Sequence, residues 1–517
     1  MYSYLSVGRA SELDSKKARC VYKLFEILPG LMAWATLFFV VYISIYSPIF
    51  AAVFIIAFDV YWLVKTIYLS LLMREAFKRM KKNLKINWLD KLRTLSVDNY
   101  QLPSVYSWQN IYHLIILPMV TEPLEIVRQD FLSLVNNKYP LDRLIVVLAT
   151  EERAGDSAQN IASQIQDEFG NKFYKFLITK LPPDLPGEMR GKGSNEAWAA
   201  KQAKKDIIDM LGIPHEHVIV SVFDIDTVVH ESFFACLTYN YLTAEKPLRS
   251  SFQPIPLFTN NIWEAPAFAR IFAFSTTFWQ MMQQSRHEQL ITFSSQSMGF
   301  KPLAELGFWQ TNVVSEDSRI FWQAFLNFDG DWQTVPMHFP IYMDANVAPT
   351  FWETFKNQYK QIRRWHYGVE NNPYFYFGFL KNKNISAGIK WFHILSQTER
   401  THSSPTNALI IFVLGWLPLW CGGSIFNTTI LSYNLPRITS FIMYLSMFGL
   451  VTSAMISMAL LPPKPPQYGR FKWIWMILQW LLFPLNFIIF GAIPALEAQT
   501  RLMLGKYMGF WITPKSR

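Results

Sequence analysis

No charged residue occurs between positions 27 and 58, and this run constrains the fold more than any other feature of the chain. A helix rises about 1.5 Å per residue, so roughly 20 apolar residues cross about 30 Å of hydrocarbon. Residues 28–47 meet that length, and 49–73 form a second apolar stretch whose only charges are Asp59 and Lys65. Far downstream, 408–436, 438–463 and 473–496 carry no charge, whereas 95–400 has no comparable run. The chain therefore reads as two membrane blocks around a water-soluble module. A composition that is 51% hydrophobic and 16% aromatic over 517 residues agrees with this.

Lys16, Lys17, Arg19 and Lys23 precede the first stretch, and Arg74, Lys78, Arg79, Lys81, Lys82 and Lys85 follow the second. By the positive-inside rule both flanks are cytoplasmic, joined by a short uncharged turn at 46–49 that faces out. A cleaved signal peptide is disfavoured, because a second span follows at once without a small-residue cleavage pattern. The net charge of +10 is gathered at these membrane edges, where it meets anionic headgroups, so no nucleic-acid partner is expected. Cys20, Cys236 and Cys421 are too scattered for a disulfide framework or a zinc site.

Within the soluble module, apolar strands alternate with amphipathic helices. Strands are expected at 113–120, 144–148, 174–179 and 218–223, and helices at 122–137, 161–169 and 195–210. Such alternation predicts parallel pairing with helices on both faces, an α/β fold. Ligands then bind beyond the carboxyl ends of the strands, so the chemistry belongs just after Val120, Leu148 and Phe223.

At the third of those ends stands Asp224-Ile-Asp226. Two carboxylates one residue apart can serve a nucleotide and a divalent metal that bridges phosphates, here Mg2+ or Mn2+. Ser315-Glu316-Asp317 follows an aromatic stretch, and Gln361-Ile-Arg-Arg364-Trp365 lies in an amphipathic segment suited to a membrane surface. Gln361 precedes Arg364 and Trp365 by one helical turn, so all three can face one site.

These three motifs, in this order between membrane blocks, resemble the membrane-embedded family 2 glycosyltransferases, which include the cellulose, hyaluronan and chitin synthases. The resemblance covers about residues 110–370. It implies a GT-A-like nucleotide-sugar-binding domain at 95–345, inserted between a transmembrane hairpin at 28–73, after a cytoplasmic N-terminus at 1–27, and a C-terminal membrane region at 408–496. Amphipathic interface helices occupy 346–400 and a tail 497–517. It also implies a nucleotide-sugar donor, a saccharide or lipid-linked acceptor, lipid contact and a cytoplasmic catalytic face of the cell membrane.

Carried over by motif, Glu122 holds the nucleoside, and Glu151 or Glu152 replaces the family's missing Asp-Asp-Gly-Ser carboxylate. Lys192, in Gly191-Lys-Gly-Ser-Asn195, approaches the phosphates, Asp224 binds the nucleotide and Asp226 the metal. Asp317 is the general base of an inverting transfer and Glu316 its orienting neighbour. Arg364 neutralises the diphosphate leaving group, and Trp365 faces the acceptor sugar. Phe510-Trp-Ile-Thr-Pro-Lys515 resembles the gating motif of the polymerising members. Pro484 and Pro494 interrupt 473–496, which predicts an interfacial or re-entrant segment, four full spans and a cytoplasmic tail near the donor site. Transfer of a single sugar to a lipid carrier, and a degenerate transferase acting in transport or as a scaffold, are the alternatives.

Overall fold

The computed structural model of the protein describes residues 2–514; Met1 and the last three positions, Lys515 of the gating-like motif among them, lie outside the described residues. The soluble module contains one eight-stranded sheet. In chain order the strands are β1 (Tyr112–Pro118), β2 (Leu144–Glu151), β3 (Lys175–Leu181), β4 (Val218–Val222), β5 (Val228–Val229), β6 (Ser250–Leu257), β7 (Ser297–Gly299) and β8 (Gln333–Tyr342). They lie side by side as β3-β2-β1-β4-β7-β6-β8-β5.

Alternation along the central strands explains the layers. Ile115, Leu117, Leu144, Val146 and Leu148 point into a core shared with Val127, Phe131 and Ile165. Their neighbours Leu114, Ile116, Ile145 and Val147 point the other way, onto Ala197, Ala200, Ile320 and Phe325. A strand with side chains buried on both faces is mostly apolar, which is why residues 144–149 of β2 read as a hydrophobic run before the polar end at Thr150 and Glu151.

The expectation of parallel pairing holds for β3, β2, β1 and β4, and beyond them the sheet is mixed. β7 runs antiparallel to both β4 and β6, β6 is parallel to β8, and β5 is antiparallel to β8. This half was not legible because β6 and β8 carry prolines and polar residues in place of an apolar alternation. Around the register shift between Gln253 and Ile255, a buried glutamine replaces the ladder. Gln284, at the end of helix Ala267–Gln284, donates to the Gln253 carbonyl (2.8 Å) and accepts from the His338 N–H (2.9 Å).

Among the described residues, four helices are long and apolar enough to cross a membrane: Lys16–Tyr46, Pro48–Asn83, Ile430–Leu460 and the segmented Lys472–Met503. A fifth candidate is the pair Ala387–Phe412 and Leu414–Cys421, bent by 44°. The uncharged run 408–436 is thus not one segment. It breaks at Val413, and a new helix starts at Ile430, where the Thr429 hydroxyl caps the Ser432 N–H (3.1 Å). That helix runs on through Pro436 and Arg437, whose guanidinium snorkels to the Tyr433 hydroxyl (2.7 Å). Gly422 meets the turn between the first two helices, since a Cβ there would lie 2.9 Å from Pro48 Cβ. One end of Lys472–Met503 touches the sheet domain and the other the first helix. Trp473 packs on Trp263 (5.2 Å), while Thr500 accepts from Trp34 (2.9 Å) and Tyr507 donates to Glu26 (2.8 Å).

A lysine-centred candidate active site

The carboxyl ends of β1, β2 and β4 open into a cavity of about 930 Å³ that reaches the membrane helices. Its polar end is organised around the first residue of helix Lys192–Ala203. Asn195 anchors that helix by donating to the Ala149 carbonyl of β2 (2.7 Å). Gly193 lets it approach helix Glu316–Asn327, because a Cβ there would sit 3.0 Å from Glu316 Cβ. The Lys192 ammonium then lies 2.8 Å from Asp224 Oδ1, 2.9 Å from Asp317 Oδ1, 3.4 Å from Glu196 Oε1 and 3.9 Å from Glu316 Oε1.

One cation faces four carboxyl groups, so burial decides which of them are charged. Burial alone would lower the Lys192 pKa, but Asp224 and Asp317 hold it well above the usual lysine range. Burial pushes Glu196 well above the carboxylate range, and burial together with the Asp317 charge raises Glu316 to about 8. Burial also raises Asp317, against the pull of Lys192. Near neutral pH the two glutamates are therefore protonated, and Lys192 is left to pair with the two aspartates. Ligand oxygens of Glu196, Glu316 and Asp317 lie within 4.8 Å of one another, a spacing that fits a divalent cation. The glutamate oxygens find no hydrogen-bond donor among the described residues, which is the state of a group kept for a ligand or a proton.

Of the strand-end pair, Asp224 faces the cavity and accepts from the Ser294 hydroxyl (2.7 Å). Asp226 is fully buried, its Oδ2 accepting from the Asp344 N–H (3.2 Å). Beyond β1, Glu122 lines the cavity and accepts from the Val120 (2.7 Å) and Thr121 (3.0 Å) N–H groups. Glu151 at the end of β2 also lines it and pairs with Arg153, while Glu152 turns outward to Lys180 (3.9 Å).

Helix Phe351–His366, started by the reciprocal Thr350–Glu353 capping box, brings Gln361, Arg364 and Trp365 to the same cavity. Gln361 accepts from Asn346 (3.4 Å), and Trp365 is exposed between Phe258 and Phe272, each 6.2 Å away. The Arg364 guanidinium lies 4.7 Å over the Phe510 ring. Phe510 also presses on Gly191, where a Cβ would meet Phe510 Cβ at 2.7 Å, so the tail rests against the loop that carries Lys192.

Sequence reasoning missed two carboxylates. Glu196 follows Lys192 by one helical turn, and an acid amid the buried alanines of that helix was the available signal. Glu370 accepts from the Val314 N–H (2.9 Å), the Ser315 N–H (2.8 Å) and the Ser315 hydroxyl (2.8 Å), fixing the turn that presents Glu316 and Asp317. Ser315 therefore binds Glu370 rather than capping its own helix. No local pattern marks Glu370, because its partners lie 55 and 56 residues away.

No protein-family model and no curated protein matches the chain. Among solved structures it is similar to a mannosyltransferase from Pyrobaculum calidifontis in complex with GDP-Man and Mn2+, at 12% identity and TM-score 0.42 over 78% of this chain and 99% of that one. It is also similar to S. aureus TarS 1-349 in complex with UDP-GlcNAc, at 12% identity and TM-score 0.37 over 68% and 93% of the two chains. The functional reading rests on the cavity itself.

Proposed function

We propose that the protein is an integral-membrane glycosyltransferase of the family 2 type, moving a sugar with inversion from a nucleotide sugar to a saccharide or lipid-linked acceptor at the cytoplasmic face of the cell membrane. The observation that carries this reading is Lys192 held between Asp224 and Asp317 in a cavity that also receives Arg364 and Trp365. A cation poised at two carboxylates suits a diphosphate on one side and a hydroxyl to be deprotonated on the other.

Glu122 and Glu151 hold the nucleoside end, and Lys192 approaches the diphosphate. Asp317 takes the proton of the acceptor hydroxyl as its oxygen bonds to the anomeric carbon. The bond from that carbon to the diphosphate breaks on the opposite face, and the nucleoside diphosphate leaves with the electron pair. Lys192 and Arg364 neutralise the charge that develops there. Glu316, buried and protonated, orients Asp317, Gln361 and Trp365 position the acceptor, and Trp365 supplies the aromatic face. The Glu196, Glu316 and Asp317 oxygens, once the two glutamates release their protons, would hold Mg2+ or Mn2+, whose chemistry is to add positive charge to the diphosphate oxygens; Asp226, buried against the Asp344 N–H, lies outside that group.

The basic flanks at Lys16–Lys23 and Arg74–Lys85 favour a cytoplasmic catalytic side. With the bent pair reaching the outer turn at Pro48, four crossings and a returning Lys472–Met503 segment keep the tail on that side. Incubating membranes with a panel of nucleotide sugars, with Mg2+, Mn2+ or chelator, tests the reading. A labelled glycan or glycolipid is expected. No turnover of any donor, with the protein folded, would sink it.

A further inference from the structure

The cavity continues past the carboxylates to the edge of the membrane helices, where two arginines line it that the reaction above does not use: Arg286, just after helix Ala267–Gln284, and Arg400, midway along Ala387–Phe412. Ser285 sets the depth of Arg286. Its hydroxyl donates to the Leu72 carbonyl (3.0 Å), at the turn where helix Pro48–Asn83 leaves its apolar stretch for Arg74, Lys78 and Arg79. That is the level of lipid headgroups.

Arg400 donates to Gln397 through one amino group and faces the Trp279 ring at 5.6 Å. Its Nη1 is buried and finds no hydrogen-bond acceptor among the described residues. The neighbouring Glu399 attracts the guanidinium but is itself paired with Lys65 and gives Nη1 no hydrogen bond. Arg286 donates to Gln289, has Glu288 only at 4.0 Å, and lies close enough to Arg400 for the two charges to repel. A buried guanidinium with an unbonded N–H is costly unless an acceptor arrives, and paired guanidiniums match the oxygens of a phosphate.

What lies beyond the arginines narrows the ligand further. From Arg400 the cavity wall follows the same helix through Ser404 and Asn407 to Ile411 and Phe412. Twelve residues at 1.5 Å each make roughly 18 Å. Met443 and Met447 of helix Ile430–Leu460 line the cavity as well. An anionic head at the interface with an apolar chain behind it fits such a wall.

We propose that Arg286 and Arg400 bind the phosphate or diphosphate of a lipid-linked acceptor whose chain runs along the membrane helices, a site that rests on the sugar-transfer reading of the same cavity. The phosphate is a handle that holds the acceptor.

The test is binding, measured calorimetrically on the full-length protein in a neutral polyoxyethylene detergent with farnesyl phosphate, farnesol and inorganic phosphate. Farnesyl phosphate should bind about tenfold or more tightly than either partial ligand. Arg400→Gln and Arg286→Gln should each weaken it about tenfold while nucleoside diphosphate affinity stays unchanged. Arg286 is half-buried, so its variant carries the test if Arg400→Gln fails to fold. Farnesol binding as tightly as farnesyl phosphate, or both arginine variants retaining full affinity, would overturn the site. Inorganic phosphate binding as tightly as farnesyl phosphate would assign a free anion and overturn the lipid. Transfer of sugar without arginine-dependent lipid-phosphate binding removes this site alone. Arginine-dependent binding without turnover of any donor removes the transferase reading and leaves the site standing.

Discussion

The Lys192 ammonium lies 2.9 and 3.0 Å from the two carboxylate oxygens of Asp317, across 125 residues of chain. Loss of Lys192 leaves two neighbouring aspartates without their cation, whereas loss of Asp317 leaves the ammonium on Asp224 (2.8 Å), so the first costs more than the second, up to about 3–5 kcal/mol for an uncompensated buried charge. We predict that Lys192→Met and Asp317→Asn each destabilise the protein and that the double variant is less destabilised than the sum of the two. A double-mutant cycle of unfolding in one detergent reads this as a coupling of about 1–3 kcal/mol. Additive effects would deny that the pair acts as a unit.

Asp317→Asn should abolish sugar transfer while nucleoside diphosphate binding stays within about threefold of the parent, since the amide keeps the shape but cannot accept a proton. Turnover and equilibrium binding on the same preparation separate the two effects. Full turnover by this variant would remove Asp317 as the base.

Glu316 carries a pH signature. Burial, then the Asp317 charge, raises its pKa from 4.5 to about 8, so between those values the folded state binds a proton that the unfolded chain has released. Stability from this group is fully present below pH 4.5 and is lost as pH rises to 8. Glu316→Gln, which stays neutral, should therefore gain in Tm relative to the parent as pH climbs through that window, and the difference should level off above it. A Tm difference that does not change with pH contradicts a protonated Glu316.

Phe510 has room against the Lys192 loop only because Gly191 lacks a Cβ. With 2.7 Å from an added Cβ to Phe510 Cβ and Cγ, Gly191→Ala must displace the tail from Arg364. The expected result is a fall in kcat of about tenfold or more. Adding Phe510→Gly, which removes both the Cβ and the Cγ, should relieve the clash but not restore the Arg364 contact, so protease resistance of the tail-docked form should differ between the two variants. Unchanged kinetics in Gly191→Ala would mean that the tail takes no part in turnover.

The side on which the tail lies is testable at Ser516, which is outside the described residues. In a background lacking Cys20, Cys236 and Cys421, Ser516→Cys should resist a membrane-impermeant thiol reagent in intact cells and react once the membrane is opened. Labelling of intact cells would make Lys472–Met503 a crossing helix and separate the tail from the catalytic side.

The sequence by itself determined the elements whose physics is local. Long apolar stretches with few charges mark where the long apolar helices lie, because hydrocarbon disfavours charge, although the uncharged run 408–436 is broken at Val413. Buried parallel strands announce themselves because both of their faces are mostly apolar, and so the strand ends carrying Glu122, Glu151 and Asp224 were legible. Tertiary structure alone decided the rest. In the mixed half of the sheet, the parallel pair β6 and β8 is bridged at its register shift by Gln284, which joins Gln253 to His338 and has no periodic trace. Glu370 and the Phe510–Gly191 contact join segments far apart in the chain, and Asp224 rather than Asp226 reaches Lys192 because of how one strand end turns. Which of four carboxyl groups stays charged beside Lys192 depends on burial and on distances of about 3–4 Å, which are set by packing and leave no mark in residue order.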